Sequence, residues 1–455
     1  MRHTFQVDSF IDEQKLGWFN LNLLLWSFLA MFADGYDINA LSLAAPELST
    51  LWNVKPASFA LPLSASNFGI FLGAPLLGYV GDRHGRRTAI LLASVVCGIS
   101  TLGVMWAQSL THVFVLRFIT GIGIGGLMPN TIALNSELAP KRRRATLVVL
   151  MFAGITLGGG VPGLVSRWLV PGHGWTVLFL IGGLVPLIVA ACVSFVLPES
   201  IKFLALHGGR QQELIATARR LRPDLAIDED AQWVMSHTAT TGGSGLSQVL
   251  GPGLRWITPL LWVCFATTLM TNYFLNSWLP LLGRASGLTQ PQWSSAATLY
   301  STGGAVGGVL MSLLIDRFGF VVIAALFALA VPAIAAIGFT GMAYATLLPL
   351  AATAGLSVLG AQFGNNAVAG LIYPTAFRSK GVGWALGIGR AGSVVGQLLG
   401  GVLIGVHLPV RTLFAAAALP MLVGTAAGVL LIPACYRRFG GLTVDDVPRQ
   451  SPQGP

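Results

Sequence analysis

Long apolar runs constrain this chain more than any other feature. Of its 455 residues 54% are hydrophobic and only 10% are charged, whereas a soluble domain is about 25% charged. A bilayer-crossing helix needs about 20 apolar residues, and its backbone must satisfy its own hydrogen bonds. The sequence therefore predicts an all-α integral membrane protein with twelve transmembrane helices. The expected spans are 18–47, 57–81, 88–107, 111–137, 145–168, 175–197, 256–281, 292–315, 320–341, 343–371, 381–406 and 410–434.

The net charge of +10 raises the question of nucleic-acid binding, but the placement of the charges argues against it. Twenty-one of the 27 Lys and Arg fall at the termini or in loops on the same side. This asymmetry follows the positive-inside rule, and it predicts that both termini are cytoplasmic. The polar N-terminal segment is not a signal peptide. The exceptions are Lys55, Arg167, Arg284 and Arg411 on the opposite side, and Arg117 and Arg390 within spans.

The chain repeats itself weakly at an offset of 234 residues. Asp82-Arg83 and Gly85 recur as Asp316-Arg317 and Gly319, and Pro140 and Arg144 recur as Pro374 and Arg378. An even number of spans per half predicts parallel repeats, hence two six-helix bundles with a site at the midplane between them. The expected domains are an N-terminal bundle (1–197), a cytoplasmic linker (198–254), a C-terminal bundle (255–436) and a disordered tail (437–455).

Two carboxylates interrupt the first span, in the sequence Asp34-Gly35-Tyr36-Asp37. Each costs about 2.5–3.5 kcal/mol at the centre of a membrane helix. At i and i+3 they share a helical face. One interpretation is that an Asp pairs with a buried cation and holds helices together. The other, compatible with the first, is that this face lines a watery cavity and couples transport to protons, with either Asp34 or Asp37 as the carrier.

Two arginines lie inside spans and need anionic partners. Arg117 and Asp37 fall at similar depth, so we expect a pair between them, with Asp34 as the alternative partner and a static structural role as the alternative function. Arg390 lies near the middle of span eleven, and its planar guanidinium suits a carboxylate. It is the leading anchor for an anionic substrate; pairing with Asp34 is the alternative. Whether Arg117 or Arg390 holds a substrate carboxylate stays open.

Polar side chains in spans seven and ten face either a neighbouring helix or a cavity. As a set they are predicted to line one wall of a substrate cavity. The set is Asn272, Tyr273, Asn276, Gln362 and Asn365. Tyr300 and Gln397 are further polar candidates.

The loop after span two reads Gly78-Tyr79-Val80-Gly81-Asp82-Arg83-His84-Gly85-Arg86-Arg87. We interpret it as part of a charge network that latches the cytoplasmic side, the alternative being an ordinary positive-inside loop. The predicted network is Asp82, Arg83, Arg86, Arg87, Glu137, Arg144, Asp316 and Arg317.

The other candidate motifs do not predict catalysis. Residues 121–126 contain G-x-G-x-x-G, but inside a long apolar helix this favours close helix packing over dinucleotide binding. We find no metal-ligand spacing, nucleophile elbow or P-loop. The sequence thus predicts a protein that is not an enzyme and has neither a metal nor a cofactor apart from coupling protons.

Several of these segments together resemble the aromatic acid:proton symporters of the major facilitator superfamily. Besides the acidic motif and the loop at 78–87, they are Arg117-Phe118 through Met128-Pro129-Asn130 to Arg144, Pro198-Glu199-Ser200, Ser277-Trp278-Leu279-Pro280 and Gly387-Ile388-Gly389-Arg390. Asn272, Asn276 and Gln397 are more polar than the family pattern, which leaves the particular acid open.

The resemblance implies a symporter that imports an aromatic or aromatic-derived organic acid with protons across a bacterial inner membrane and serves aromatic catabolism. It also implies functional positions at Asp34, Asp37, Arg117, Glu137 and Arg390. The expected partners are this small acid and the lipid bilayer, with the protein acting as a monomer. The alternatives are a proton antiporter for drugs, a sugar or dicarboxylate carrier, and a non-transporting membrane sensor.

Overall fold

The computed structural model describes residues 4–140, 142–207, 210–225, 227–229, 231–234, 249–251, 253–373 and 378–439. The helices of the first half are α1 (Val7–Asp12), α2 (Trp18–Leu51), α3 (Ala60–His84), α4 (Arg86–Gly103), α5 (Leu110–Leu138), α6 (Arg144–Trp168), α7 (Val170–His173), α8 (Thr176–Phe195), α9 (Ile201–His207) and α10 (Gln211–Leu221). Those of the second half are α11 (Ile257–Ala285), α12 (Gln290–Phe318), α13 (Val321–Phe339), α14 (Tyr344–Ile372), α15 (Arg378–Gly405) and α16 (Val410–Phe439). The described residues also form two short strands, β1 (Thr4–Gln6) and β2 (Gln232–Val234), and two 3-10 helices (Pro56–Phe59 and Val104–Trp106).

The helical, membrane-spanning fold class is confirmed. Eleven helices of the described chain are long and apolar enough to cross a membrane. The eleven do not include α2, which is 34 residues long and corresponds to the predicted first span. This helix is less apolar than the eleven because it carries Asp34, Asp37 and three asparagines.

Positive backbone φ angles end several helices where the sequence predicts loops. Gly85 (φ 106°) separates α3 from α4, and Gly319 (φ 60°) separates α12 from α13. These two glycines are the ones that recur at the 234-residue offset. Gly341 and Met342 also have positive φ, and they form the turn between α13 and α14, so the predicted division near residue 341 is present.

The chain forms two compact units, and the first comprises Met1–Ala40, Ala65–Gly159 and Thr176–Thr241. Apolar side chains from α1, α2, α5, α8, α9 and α10 share one buried cluster in it. Strands β1 and β2 pair in parallel, with Phe5 opposite Trp233. The rings of Phe5, Phe10 and Trp233 pack at centroid distances of 5.1–5.7 Å.

Helix α10 packs its apolar face against the rest of the first unit. Leu214, Ile215, Ala218 and Leu221 on this face are buried in the shared cluster. The amphipathic pattern reflects packing against protein.

The second unit comprises Leu41–Ser64, Gly160–Trp175 and Gly242–Pro455. Its helices approach each other at glycines that match those of the first unit. A Cβ added at Gly121 would lie 2.1 Å from the carbonyl oxygen of Ser66, and one added at Gly355 would lie 1.8 Å from that of Tyr300. Gly355 follows Gly121 by the 234-residue offset, and close packing through small residues, as predicted for residues 121–126, explains both.

The predicted domain limits at 197, 254 and 436 stay predictions. The linker segment at 241–245, Pro374 of the repeat and the tail from residue 440 lie outside the described residues.

Candidate functional site

A buried ion pair joins α2 and α5 in the first unit. Arg117 Nη1 donates to Asp37 Oδ1, and Arg117 Nη2 donates to the backbone carbonyl of Asp37 at 3.0 Å. Arg117 is 2% exposed and Asp37 4% exposed. Asp37 and Arg117 therefore form the pair that the sequence predicts. Two contacts from the guanidinium to one residue offset much of the cost of burying both charges.

Asp34 lies one turn before Asp37 on α2 and is 3% exposed. Arg117 Nε and the hydroxyl of Tyr36, which precedes Asp37 in the sequence, have no hydrogen-bond partner among the described residues. A buried donor without a partner costs about 1–3 kcal/mol. Such groups are available to bind water or a polar ligand, so the guanidinium of Arg117 retains hydrogen-bonding capacity beside Asp37.

Close packing fixes the position of the acidic motif. A Cβ added at Gly35 would lie 2.0 Å from the carbonyl oxygen of Ile155 in α6, and one added at Gly158 would lie 2.2 Å from that of Phe32. Asn39 Nδ2 also donates to the carbonyl of Gly159 at 2.7 Å. The glycines of the first and fifth spans therefore let α6 pack directly against the backbone that carries Asp34 and Asp37.

The end of α3 and the start of α4 share an ionic cluster with the end of α5. Arg86 pairs with Asp82 through Nη1 and with Glu137 Oε1 through Nε at 3.3 Å. Arg83 Nη1 donates to the hydroxyl of Tyr79 at 2.7 Å. Asp82, Arg86 and Glu137 thus come together, whereas Arg83 makes a local contact within α3.

Further predicted network residues lie apart from this cluster. Arg144 contacts Asp12 at 3.8 Å, which ties α6 to the N-terminal segment. Arg317 lies over the Phe318 ring at 5.4 Å. The side chain of Asp316 lies outside the described residues, so its predicted role is not addressed.

Glu199 makes a structural contact that the sequence analysis did not predict. Its carboxylate accepts the backbone N–H of Arg87 at 3.2 Å and that of Ser200 at 2.9 Å. It therefore caps the N-terminus of α4 from a distant loop, where Gly85 offers no side chain. Burial raises the pKa of Glu199, and these backbone donors partly offset the rise. The Pro198-Glu199-Ser200 segment was the only sequence signal for it.

Buried hydroxyl groups contact α5 at Arg117 and again one turn later. Ser66 Oγ donates to the Arg117 carbonyl at 3.1 Å. One turn later, Thr120 Oγ1 lies 2.8 Å from Ser100 Oγ and 3.5 Å from Thr101 Oγ1. All of these side chains are buried, and each hydroxyl lies within hydrogen-bonding distance of a group on a neighbouring helix.

A second polar cluster lies in the second unit, on α11, α12 and α15. Arg390 Nη1 donates to the hydroxyl of Tyr273 at 2.9 Å. Asn272 Oδ1 accepts from Tyr300 Oη at 2.9 Å and from Asn276 Nδ2 at 2.7 Å. Arg390 and Asn276 are half-buried, whereas Asn272 and the two tyrosines are buried. The cluster therefore presents a guanidinium beside an amide and phenol network.

Glycines again determine this placement. A Cβ added at Gly392 would lie 2.3 Å from the carbonyl oxygen of Ala266, and one added at Gly396 would lie 2.2 Å from that of Met270. The Gly-rich sequence of α15 thus packs its backbone against α11. Because Arg390 lies on this closely packed segment, its side chain reaches Tyr273.

The remaining polar candidates contact neighbouring helices. Asn365 is fully buried and donates to Thr268 Oγ1 at 3.1 Å. Gln397 donates to Ser277 Oγ at 3.0 Å, and its carbonyl accepts from Trp278 Nε1 at 3.1 Å. Gln362 Oε1 has no partner among the described residues. Gln397 therefore joins α15 to α11, and Asn365 joins α14 to α11.

The second unit also contains a set of contacts from α2 and α6 that the sequence analysis missed. Ser166 Oγ lies 2.9 Å from Ser294 Oγ, and Arg167 Nη1 donates to Ser295 Oγ at 2.8 Å. Arg284 Nη1 donates to the carbonyl of Pro46. Serines are common in polytopic proteins, so their pairing carries no sequence signal.

Comparisons with known proteins place this geometry in a family context. Residues 27–364 and 261–443 match the Major Facilitator Superfamily model. A gallate transporter of Pseudomonas putida is 33% identical over 91% of this chain and 92% of its own length. A 4-hydroxybenzoate transporter of Pseudomonas aeruginosa is 34% identical over 93% of this chain and 95% of its own length. A benzoate transport protein of Acinetobacter baylyi is 30% identical over 95% of this chain and 93% of its own length.

A solved structure agrees with the fold. The crystal structure of a bacterial homologue of the human lysosomal transporter Spinster, in an inward-facing and unoccupied conformation, matches with a TM-score of 0.63. It covers 96% of this chain and 100% of the other, at 17% identity. At this identity the match concerns the fold alone.

Proposed function

Because the chain belongs to the Major Facilitator Superfamily, and there to its aromatic acid transporters, we propose that it imports an aromatic or aromatic-derived acid together with protons by alternating access. It is a multi-pass transporter and not an enzyme. The observation that carries the proposal is the position of Arg390, which is half-buried and donates to Tyr273 beside the Asn272 network.

In the proposed site, Arg390 binds the carboxylate of the acid. A guanidinium offers paired N–H donors that match the two carboxylate oxygens. Tyr273 positions the guanidinium, and the half-buried amide of Asn276 offers polar contacts to substituents on the ring. Added hydrogen-bond groups of this kind suit a hydroxylated ring or a ring-cleavage acid.

Protons supply the driving force in this proposal. Moving a monovalent anion inward against 100 mV costs about 2.3 kcal/mol. One accompanying proton cancels that charge and leaves the pH gradient to drive uptake. With two protons the net charge moved is positive, so the membrane voltage would drive uptake as well. No cofactor is needed, because Asp34 and Asp37 supply the ionisable groups.

We assign proton uptake to Asp34 and the linked structural change to Asp37. Asp37 already binds Arg117 through two contacts, so its protonation would release a buried guanidinium. Protonation of Asp34 on the same helical face precedes that release. The substrate carboxylate then occupies Arg390, and the Asp82, Arg86 and Glu137 cluster opens and closes with the cycle.

The proposed setting is a bacterial inner membrane, with both termini cytoplasmic and one chain sufficient for transport. The loop arginines support this orientation, since most Lys and Arg fall on the side of the termini. The relatives come from bacteria, which supports the bacterial membrane.

The test is uptake of radiolabelled 4-hydroxybenzoate, gallate and benzoate into proteoliposomes with an imposed pH gradient. Wild-type protein is expected to accumulate at least one of these acids. Asp34→Asn should abolish accumulation, whereas the matched control Asp228→Asn, at an exposed loop position, should transport normally. Wild-type accumulation by Asp34→Asn would remove Asp34 from the mechanism, and absence of gradient-driven uptake of any of these or related organic acids would refute the proposed function.

A further inference from the structure

An open groove with basic walls lies in the second unit, between the start of α11 and the end of α16. Its volume is about 1090 Å³, which exceeds the 300–1,000 Å³ that is usual for small-molecule pockets. Its lining includes Arg255, Arg437 and Arg438, and none of its lining residues is acidic. Among the described residues, none of these three arginines forms an ion pair.

The arginines are held in place by local contacts. Gly253 has a φ of 87°, and a Cβ added there would lie 2.9 Å from Arg438 Nε. The absence of a side chain therefore lets the guanidinium lie against the loop backbone. Arg255 lies 5.9 Å from the Trp256 ring centroid, and Thr258 Oγ1 donates to the carbonyl of Val249 at 2.8 Å, which fixes the loop to α11.

Apolar side chains continue from the arginines along α16. Leu430 and Val423 precede Arg437 by one and two heptads, so the three share one helical face. They are 57% and 53% exposed. Trp256, at the edge of the groove, is 68% exposed, and Trp is enriched where a membrane meets water.

We propose that this groove binds an anionic phospholipid, with the phosphate between Arg255, Arg437 and Arg438 and the acyl chains along Leu430 and Val423. A patch of positive charge with an adjoining exposed apolar face complements a headgroup and its tails together. A free phosphate would use the arginines but not the apolar face. The site is separate from Arg390 and does not depend on the proposed substrate.

Native mass spectrometry of the full-length protein tests this, using mixed micelles with equal amounts of dioleoyl phosphatidylglycerol and dioleoyl phosphatidylcholine. Wild-type protein should retain phosphatidylglycerol preferentially, with about a fivefold contribution from each arginine. Arg255→Gln/Arg437→Gln/Arg438→Gln should lose the preference, and the corresponding triple Lys variant should keep most of it. The matched control Arg142→Gln/Arg143→Gln/Arg220→Gln removes the same charge at exposed positions elsewhere and should behave as wild type.

Three results would overturn the proposal. The first is equal retention of both lipids by the wild-type protein. The second is an equal loss of preference in the control variant, which would indicate general charge attraction. The third is displacement of phosphatidylglycerol by sn-glycerol 3-phosphate at matched concentration, which would indicate a phosphate site without a role for the tails.

Discussion

Arg117 holds Asp37 by both its side chain and its backbone carbonyl, the latter at 3.0 Å. The two residues lie 80 positions apart on α2 and α5, and both are almost fully buried. A guanidinium bound in this way fixes the acidic face of α2 relative to α5. Loss of charge on Asp37 would break the ionic contact and leave only the carbonyl contact.

Removal of one partner of this pair is expected to destabilise the protein strongly. Asp37→Asn or Arg117→Gln leaves an uncompensated buried charge, which costs about 3–5 kcal/mol. The double variant should lose much less than the sum of the two. Thermal unfolding of wild type, the two single variants and the double variant in detergent gives the coupling energy between Asp37 and Arg117. Additive losses of stability would show that the pair contributes no interaction energy.

Substitution of Arg390 is expected to weaken binding of the acid. Hydrogen bonds to charged groups contribute about 1.5–3 kcal/mol, so Arg390→Gln should lower affinity for 4-hydroxybenzoate about ten- to 100-fold. Titration calorimetry on the purified protein measures this. The control is Arg411→Gln, which removes an exposed arginine that lies 4.2 Å from the Phe339 ring centroid. Unchanged affinity in Arg390→Gln would place the carboxylate elsewhere.

A disulfide between positions 166 and 294 is expected to block transport. The two serine hydroxyl oxygens are 2.9 Å apart, so Ser166→Cys/Ser294→Cys should crosslink under mild oxidation. In the proposed alternating-access cycle α6 and α12 separate at this point, so uptake should stop and then recover with reductant. Each single Cys variant should transport with or without oxidant. Full-rate uptake by the completely crosslinked protein would contradict the predicted opening.

The stability contributed by Glu199 is expected to fall as pH rises. Burial raises the pKa of this carboxyl, so between its usual and its raised pKa the folded protein binds more protons than the unfolded one. Unfolding free energy then decreases with pH across that window. The melting temperature of wild type minus that of Glu199→Gln should therefore decrease as pH rises. An increase in this difference with pH would contradict the prediction, because it would mean that the backbone N–H groups of Arg87 and Ser200 hold the pKa of Glu199 below its usual value.

The sequence predicts those features that depend on hydropathy, charge and spacing. The spans, the depth shared by Asp37 and Arg117, and the packing role of Gly121 all follow from residue type and position. Contacts made by common residues could not be predicted. Glu199 reaches α4 across 112 residues, Ser166 meets Ser294 without a motif, and the three-residue strands β1 and β2 are too short to show a pattern.

The roles of the candidate side chains are less predictable than their positions. Asn272 and Gln397 are both polar residues inside spans, yet Asn272 joins the cluster next to Arg390 and Gln397 bonds to Ser277 on a neighbouring helix. Periodicity places a residue on a face, but the packing of the facing helix decides whether that face meets a cavity or a partner.

Proton movement during acid uptake is the most direct test of the central claim. Proteoliposomes that contain a trapped pH dye and no imposed gradient receive external 4-hydroxybenzoate, with protein-free liposomes as the control for passive entry. The lumen should acidify faster with wild-type protein than in the control, and Asp34→Asn should match the control. Carrier-mediated entry of the labelled acid with no acidification beyond the control would contradict proton symport.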